Sequence, residues 1–370
     1  MEYIEDPYIV DTREVPKLES LSVVPETIYI SIASYDDPYL IRTIKSIIDN
    51  ADKPENIYLG IALQYEKIEI PDVSFIDPQK IIKIYCAAEN RPGTVRIRHV
   101  LRKLMTFQEY FLQIDSHTHF CKGWDTKLKN DLSVLKNESK TGKVIISQQT
   151  NQYPGDALVY KDGIPFVWNA RFTEKKSVLP DEERRWELLD NMNQVAKEYP
   201  LSDAKLIDNR YIRTGFVGGN FIFARKEYIE DTLFDSRSQF VSEEMIDSLY
   251  TYMSGWDVYA NIVEHYLGHD NFDYNETVYN NKYPVKYFRG KFCGNDTIER
   301  QHADRFFCLD EKNRYSMPHA TRSAEEYFNE FDMPDLFKKS KAWYEKRIID
   351  NQSYPVLDKN NYDFNWKELN

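Results

Sequence analysis

The segment 27–85 constrains the fold more than any other part of the chain. Residues 27–34 (Thr-Ile-Tyr-Ile-Ser-Ile-Ala-Ser) are β-branched and aromatic, which predicts a central strand, and the polar Tyr35, Asp36, Asp37 and Pro38 end it. Over 39–50, Leu40, Ile41, Ile44, Ile47 and Ile48 recur at helical spacing. After Lys53 and Pro54 come two more strand-like runs, at 57–63 and 81–85. Strand, helix and strand in this rhythm join through crossovers. The expectation is an α/β fold with a mostly parallel central sheet.

Arg91-Pro92-Gly93 opens a further predicted helix, with Val95, Val100, Leu101, Leu104 and Met105 inward and Arg96, Arg98, Arg102 and Lys103 along its other faces. A helix start flanked by arginines can receive a diphosphate, because unpaired N–H groups and the helix dipole both favour an anion. Taken alone, such arginines are more often merely solvated. The helix feeds a predicted strand at 110–114 (Tyr-Phe-Leu-Gln-Ile), which ends in Asp115, Ser116, His117 and His119 before a turn at Gly123-Trp124-Asp125. Ligands of open α/β sheets bind at the carboxyl ends of strands. A carboxylate and an imidazole two residues apart can reach one cation there, and the pairing suits Mn²⁺ or Mg²⁺, with imidazole tilting the choice toward Mn²⁺. An isolated Asp-x-His is usually only a polar loop, so its weight here comes from its neighbours in the sequence.

Farther along, 143–148 predicts a strand and 150–211 an insertion with one amphipathic helical piece near 183–197, the kind of segment on which acceptor contacts are placed. Gly218 and Gly219 precede a strand, where backbone can approach a ligand closely. Ser242, Glu243 and Glu244 read as the capped start of a helix running toward Tyr252, followed by Gly255-Trp256-Asp257, His265 and His269. From 291 onward helical patterns dominate, broken at Pro318 and Pro334.

A chain of 370 residues can bury a large core, and its formal charge of −12 argues against a broad nucleic-acid surface. The four cysteines, Cys86, Cys121, Cys293 and Cys308, have neither zinc-site spacing nor the look of a disulfide framework, so reduced thiols in the cytoplasm are expected. The N-terminus lacks a basic region followed by an apolar stretch, and no run approaches the ~18 apolar residues of a membrane span.

Residues 31–37 (Ser-Ile-Ala-Ser-Tyr-Asp-Asp), Gly93 with Arg98-His99, residues 110–117 with Gly123-Trp124-Asp125, Glu243-Glu244, Gly255-Trp256-Asp257 and His265 occur in one order. Together they resemble the GT-A glycosyltransferase family of the cytoplasmic polypeptide (hydroxyproline) N-acetylglucosaminyltransferase type. The later Thr321-Arg322-Ser323-Ala324-Glu325-Glu326-Tyr327 is similar to that family's closing segment, so the resemblance spans roughly residues 27–333. It implies a Rossmann-like nucleotide-sugar domain, a UDP-sugar donor, a divalent cation and a retaining transfer to a hydroxyl. Asp115-Ser116-His117 would be the metal motif, with His265 as the distant third ligand and His269 the next candidate. Ser34, Tyr35 and Asp36 would meet the uridine, and Arg98 the ribose or diphosphate. Ser116 and Trp256 join the expected donor contacts. Gly218, Gly219 and Glu243 resemble the loop and acidic residue that hold the donor sugar. Asp115, Glu243 and Glu244 are the expected catalytic set, the glutamates hydrogen-bonding sugar hydroxyls.

The expected organisation is an N-terminal arm over 1–26, a GT-A domain over 27–290 that contains the 150–211 insertion, and a helical extension over 291–370. The leading functional expectation is transfer of N-acetylglucosamine to a protein hydroxyl. A same-fold enzyme acting on a hydroxylated nucleic-acid base or a glycan is the alternative, and a catalytically silent nucleotide-sugar-binding protein is the reading of another class.

Overall fold

A computed structural model of the chain describes residues 9–11, 22–65, 69–86, 94–148, 151–152, 206–232, 243–261, 263–264, 266–269 and 321–331. Most of the predicted insertion and most of the C-terminal extension lie outside these residues. In chain order the elements are β1 (Ile9–Asp11), β2 (Val24–Tyr35), α1 (Leu40–Asn50), β3 (Ile57–Gln64), β4 (Ile81–Cys86), α2 (Thr94–Lys103), β5 (Gln108–Asp115), β6 (Thr118–Phe120), α3 (Trp124–Glu138), β7 (Val144–Ile146) and β8 (Asn151–Gln152). They continue with β9 (Leu206–Ile207), β10 (Tyr211–Thr214), β11 (Phe221–Arg225), α4 (Glu227–Asp231), α5 (Glu243–Met253), β12 (Asp257–Asn261), β13 (Leu267–His269) and, as α6, Ala324–Glu330.

The apolar run first seen at 27–34 becomes the middle of β2, which pairs in parallel with β3 on one side and with β5 on the other. Ile30 stands opposite both Leu59 and Leu112. The ten-stranded sheet has the order β1-β4-β3-β2-β5-β11-β7-β12-β10-β9. Strands β2, β3, β4, β5, β7, β9 and β12 run one way, while β1, β10 and β11 run against them. The mostly parallel α/β sheet expected from the crossover rhythm is therefore present. A second sheet, β6-β13-β8, which no periodicity in the sequence announced, sits beyond the end of β5.

Period-two alternation divides the core between the two faces of the large sheet. Ile28, Ile30 and Ile32 point to the face covered by Ile44 and Ile47 of α1 and by Trp124, Leu128 and Leu132 of α3. Tyr29, Phe111 and Ile222 point the other way, to Ile97 and Leu101 of α2 and to Leu104 just after it. Gly60 is required here by close approach, because a Cβ on it would collide with the Tyr29 hydroxyl, which donates to the Leu101 carbonyl at 2.8 Å.

Strand β2 starts at Val24, inside the stretch read as an arm, and β1 within that stretch pairs antiparallel along β4. At the other end of the chain, α6 follows a full capping box in which Ser323 and Glu326 each bond the other's backbone N–H. Tyr327 in α6 stacks edge-on against Tyr252 of α5 and donates to the Gly215 carbonyl at 2.7 Å.

Helix α1 is laced along its length to the segment that follows β5. Thr43 Oγ1 donates to the Ser116 carbonyl at 2.7 Å and accepts from the Thr118 N–H at 2.9 Å. Ser46 Oγ accepts from the Phe120 N–H at 2.8 Å, and Trp124 Nε1 donates to the Ile47 carbonyl at 3.1 Å. Gly123, with a left-handed φ of 70°, turns the chain into α3 and donates its N–H to the Asn50 carbonyl at 2.7 Å. The fully buried Asp125 carboxylate then accepts the N–H groups of Asp52 at 2.8 Å and Lys53 at 3.0 Å, which lie just past the end of α1. Gly123-Trp124-Asp125 is thus a structural clasp. Asp125→Ala is expected to lower stability by about 2–4 kcal/mol, seen as a reduced urea midpoint at unchanged m-value, because two backbone donors lose a charged acceptor.

Candidate active and metal-binding site

Along the chain β2, β3 and β4 step outward in one direction, and β5 returns to the opposite side of β2. The strand order therefore reverses between β2 and β5, which opens a crevice at their carboxyl ends. Tyr35 and Asp115 end those two strands, and several of the side chains singled out in the sequence gather here.

Asp115 is the centre of the cluster. Its Oδ1 takes an ion pair from the Arg98 guanidinium of α2, and its Oδ2 lies 2.9 Å from Nε2 of His269. His117, in the turn after β5, places its own Nε2 2.9 Å from His269 Nε2. Its other ring nitrogen, Nδ1, lies 2.7 Å from Asp37 Oδ2, which also accepts from Ser116 Oγ at 2.5 Å. Asp37 Oδ1 in turn accepts the Tyr39 N–H at 2.8 Å, so that carboxylate is tied to the start of α1. The small sheet explains how a residue so distant in sequence arrives: β13 pairs antiparallel with β6, setting His269 opposite Thr118 and hence beside His117.

Each ionisation state has a physical cause. Burial opposes charge on Asp115, but the Arg98 guanidinium and the His269 hydrogen bond hold its carboxyl well below the ordinary carboxylate range. Burial likewise opposes charge on His117, yet the Asp37 hydrogen bond and the negative charges of Asp37 and Asp115 raise its pKa above the ordinary imidazole value. For Asp37, burial is outweighed by the hydrogen bond and charge of His117, and its pKa is lowered.

The donor set suits a divalent cation. Asp115, His117 and His269 each offer one ligand atom, all within 4.8 Å of one another. Ligands bound at about 2.1 Å and at right angles would stand roughly 3 Å apart, close to the 2.9 Å measured for His269 with each of the other two. With Nδ1 of His117 facing Asp37, its Nε2 is the atom left to ligate, the carboxylate–imidazole arrangement that orients metal-binding histidines.

The remaining expected residues divide by place. Ser34 and Tyr35 end β2; Ser34 Oγ donates to Tyr65 Oη at 2.8 Å, while Tyr65 donates to the Asp37 carbonyl at 3.0 Å. Asp36 follows with a positive φ of 43° and is buried, its N–H bound to the Gln64 carbonyl at 2.9 Å. Ser116 is buried in the turn between the two candidate ligands Asp115 and His117. Gly218 and Gly219 lead into β11, whose Phe221 stands opposite Ile114, so their loop lies at the same sheet edge. Glu243 and Glu244 form the first turn of α5. Ser248, one turn beyond Glu244, accepts the Val217 N–H at 2.8 Å, which sets the middle of α5 beside the Gly218 loop.

Trp256 is not brought to this edge. It precedes β12, whose Asp257 pairs with Val144 at the amino end of β7, and its indole donates to Asp231 at 3.2 Å and packs on Tyr228. Its place among the donor contacts is replaced by a packing role. His265 lies outside the described residues; among the described residues His269 joins Asp115 and His117. Asp37 is the site residue that the sequence reading passed over. The signal was its position two residues before Tyr39, where an Asp side chain bonds the backbone at a helix start, but nothing local announced its reach to His117 across 80 positions.

No curated protein matches its sequence. Among solved structures, one of GalNAc-T7 with UDP, GalNAc and Mn²⁺ is similar with a TM-score of 0.45 and 11% identity, covering 90% of this chain and 53% of that one. This chain therefore spans about half the length of that structure's chain. The family model described as Glycosyltransferase (GlcNAc) matches residues 27–90 and 78–268, which include most of β2, all of β5 and α5, and the candidate ligands Asp115 and His117. With its mostly parallel α/β sheet and the cluster at the β2–β5 switch point, the chain belongs to the GlcNAc glycosyltransferase family.

Proposed function

We propose that the protein transfers a sugar, first of all N-acetylglucosamine, from a UDP-sugar to a hydroxyl of a protein acceptor with retention of configuration. The observation that carries this reading is the convergence of Asp115, His117 and His269 at the carboxyl edge where nucleotide ligands of such sheets bind. Mn²⁺ or Mg²⁺ is the proposed partner of these three residues, with Mn²⁺ favoured by two imidazoles. A divalent cation held there would neutralise charge on the diphosphate leaving group.

The chain's own residues supply the rest of the proposal. Arg98 keeps Asp115 ionised and brings a second positive charge to the edge that would receive the diphosphate. Ser34, Tyr35, Asp36 and Ser116 stand at the end of β2 and in the neighbouring turn, where a uridine would lie. The Gly218–Gly219 backbone and the α5 start with Glu243 and Glu244 would hold the sugar hydroxyls. No side chain is assigned as base; in a retaining transfer on one face the departing phosphate takes the acceptor's proton. No described helix is long and apolar enough to cross a membrane, and a cytoplasmic setting is proposed from the cysteine pattern alone.

Thermal melting with UDP-, GDP- and CDP-sugars, each with Mn²⁺ or with EDTA, tests the reading. Stabilisation by a UDP-sugar that is abolished by EDTA, by Asp115→Asn and by His269→Ala is expected. Stabilisation that survives Asp115→Asn would remove the metal assignment.

Protons compete with metal at His117, whose pKa is raised, so Mn²⁺ affinity is expected to fall as pH drops through that raised value. Asp37→Asn should weaken Mn²⁺ by about 10–100-fold at pH 8 and move the midpoint of the pH dependence downward, since the charge that raises the His117 pKa is gone. In EDTA the sign reverses. The His117–Asp37 pair stabilises the metal-free fold fully below the unfolded imidazole pKa of about 6.5, and that contribution is lost as pH rises through the raised folded value.

A further inference from the structure

Beneath the candidate ligands lies a second buried polar group. Arg102 of α2, four residues after Arg98, is almost fully buried, and its Nε and Nη2 both donate to Gln113 Oε1, at 3.2 Å and 2.9 Å. Gln113 has no solvent exposure and donates its Nε2 to the Gly219 carbonyl at 2.8 Å. Arg102 Nη2 also lies 3.5 Å from the buried Asp247 of α5. Four helical residues rise about 6 Å and two strand residues about 6.6 Å. Arg98 to Asp115 and Arg102 to Gln113 are therefore successive rungs between the same helix and the same strand.

The amide of Gln113 has only one useful orientation here. Its oxygen must face the guanidinium, which has no acceptor, so its NH₂ must face the Gly219 carbonyl. The loop is also bound at Gly218, whose N–H donates to Ser147 Oγ at 2.8 Å and whose carbonyl accepts the Phe221 N–H at 3.1 Å. In a trans peptide the carbonyl and the following N–H point opposite ways, so capture of the Gly219 carbonyl also sets the direction of the Asn220 N–H.

We propose that Gln113 is a positioning residue for the donor sugar: oriented by Arg102 and Asp247, it holds the Gly218–Gly219–Asn220 backbone in the conformation that contacts the sugar and leaves the nucleotide part of the site alone. This rests on the donor-site reading above. The network buries charge on α2 and α5 around one neutral amide, and that amide reaches the backbone of the glycine loop directly. Gln113→Glu keeps the shape and the Arg102 contact but turns an oxygen toward the Gly219 carbonyl. Gln113→Met keeps the volume and removes all three hydrogen bonds.

The test combines Mn²⁺-dependent binding of UDP and of UDP-N-acetylglucosamine with hydrogen exchange over residues 217–221. Tyr211→Phe serves as control, because it removes the hydroxyl that donates to buried Asp131 at 2.8 Å near the far edge of the sheet. Both Gln113 variants are expected to bind UDP within about twofold of the parent and the UDP-sugar about tenfold more weakly. Exchange should rise in 217–221, and the control should change neither. Equal weakening of UDP and UDP-sugar, or unchanged exchange in 217–221, would overturn the proposal. A parent protein that binds neither compound would overturn the donor reading, and the exchange result would then decide the loop contact by itself.

Discussion

An ionised carboxylate partly withdrawn from water at the end of a buried strand is favoured where opposite charge and hydrogen bonds replace the lost solvent. Asp115 meets that condition through Arg98 on one oxygen and His269 on the other. The two partners come from different layers of the molecule. Arg98 arrives on a helix packed against one face of the large sheet, and His269 arrives on a strand of the small sheet beyond its edge. Both partners are in place only once these elements have docked, so the site and the fold around it are completed together.

Carboxylates do similar work elsewhere, and the difference in what they bind separates structure from site. Asp125 accepts two backbone N–H groups past the end of α1. Asp257 accepts Arg213 at 2.7 Å and Arg322 at 2.9 Å on one oxygen, and Ser139 at 2.9 Å on the other, tying the segment before α6 to β12. Both belong to Gly-Trp-Asp triplets, and both are spent on chain geometry. Asp37 accepts a backbone N–H too, but its second oxygen is turned toward His117. One carboxylate thus couples the start of α1 to the orientation of a candidate ligand.

Much of the scaffold was legible in the chain itself. The alternation of Ile28, Ile30 and Ile32 with Tyr29 and Ser31, and the helical spacing of Leu40, Ile44 and Ile47, are local patterns, and β2 and α1 form where those patterns lie. Asp115 and His117 were legible as well, because two residues in one turn need no folding to be near each other. The third partner was not. His265 and His269 are four residues apart in a stretch with no distinguishing period, and among the described residues it is His269 that reaches the pair, through the pairing of β13 with β6, two strands too short to signal themselves. Trp256 was misplaced for the related reason that a motif's order along the chain does not say to which end of the sheet it folds.

What the sequence by itself determined is whatever depends on neighbours within a few residues: strand and helix identity, the parallel crossover that follows from it, and a carboxylate and imidazole at the end of β5. Only the tertiary structure decided which distant groups complete those local ones. The His117–Asp37 pair spans 80 positions, the His269–Asp115 pair 154 and the Gln113–Gly219 bond 106. Directional interactions over such separations follow from strand order and helix docking, and these depend on how the entire core packs rather than on any local pattern.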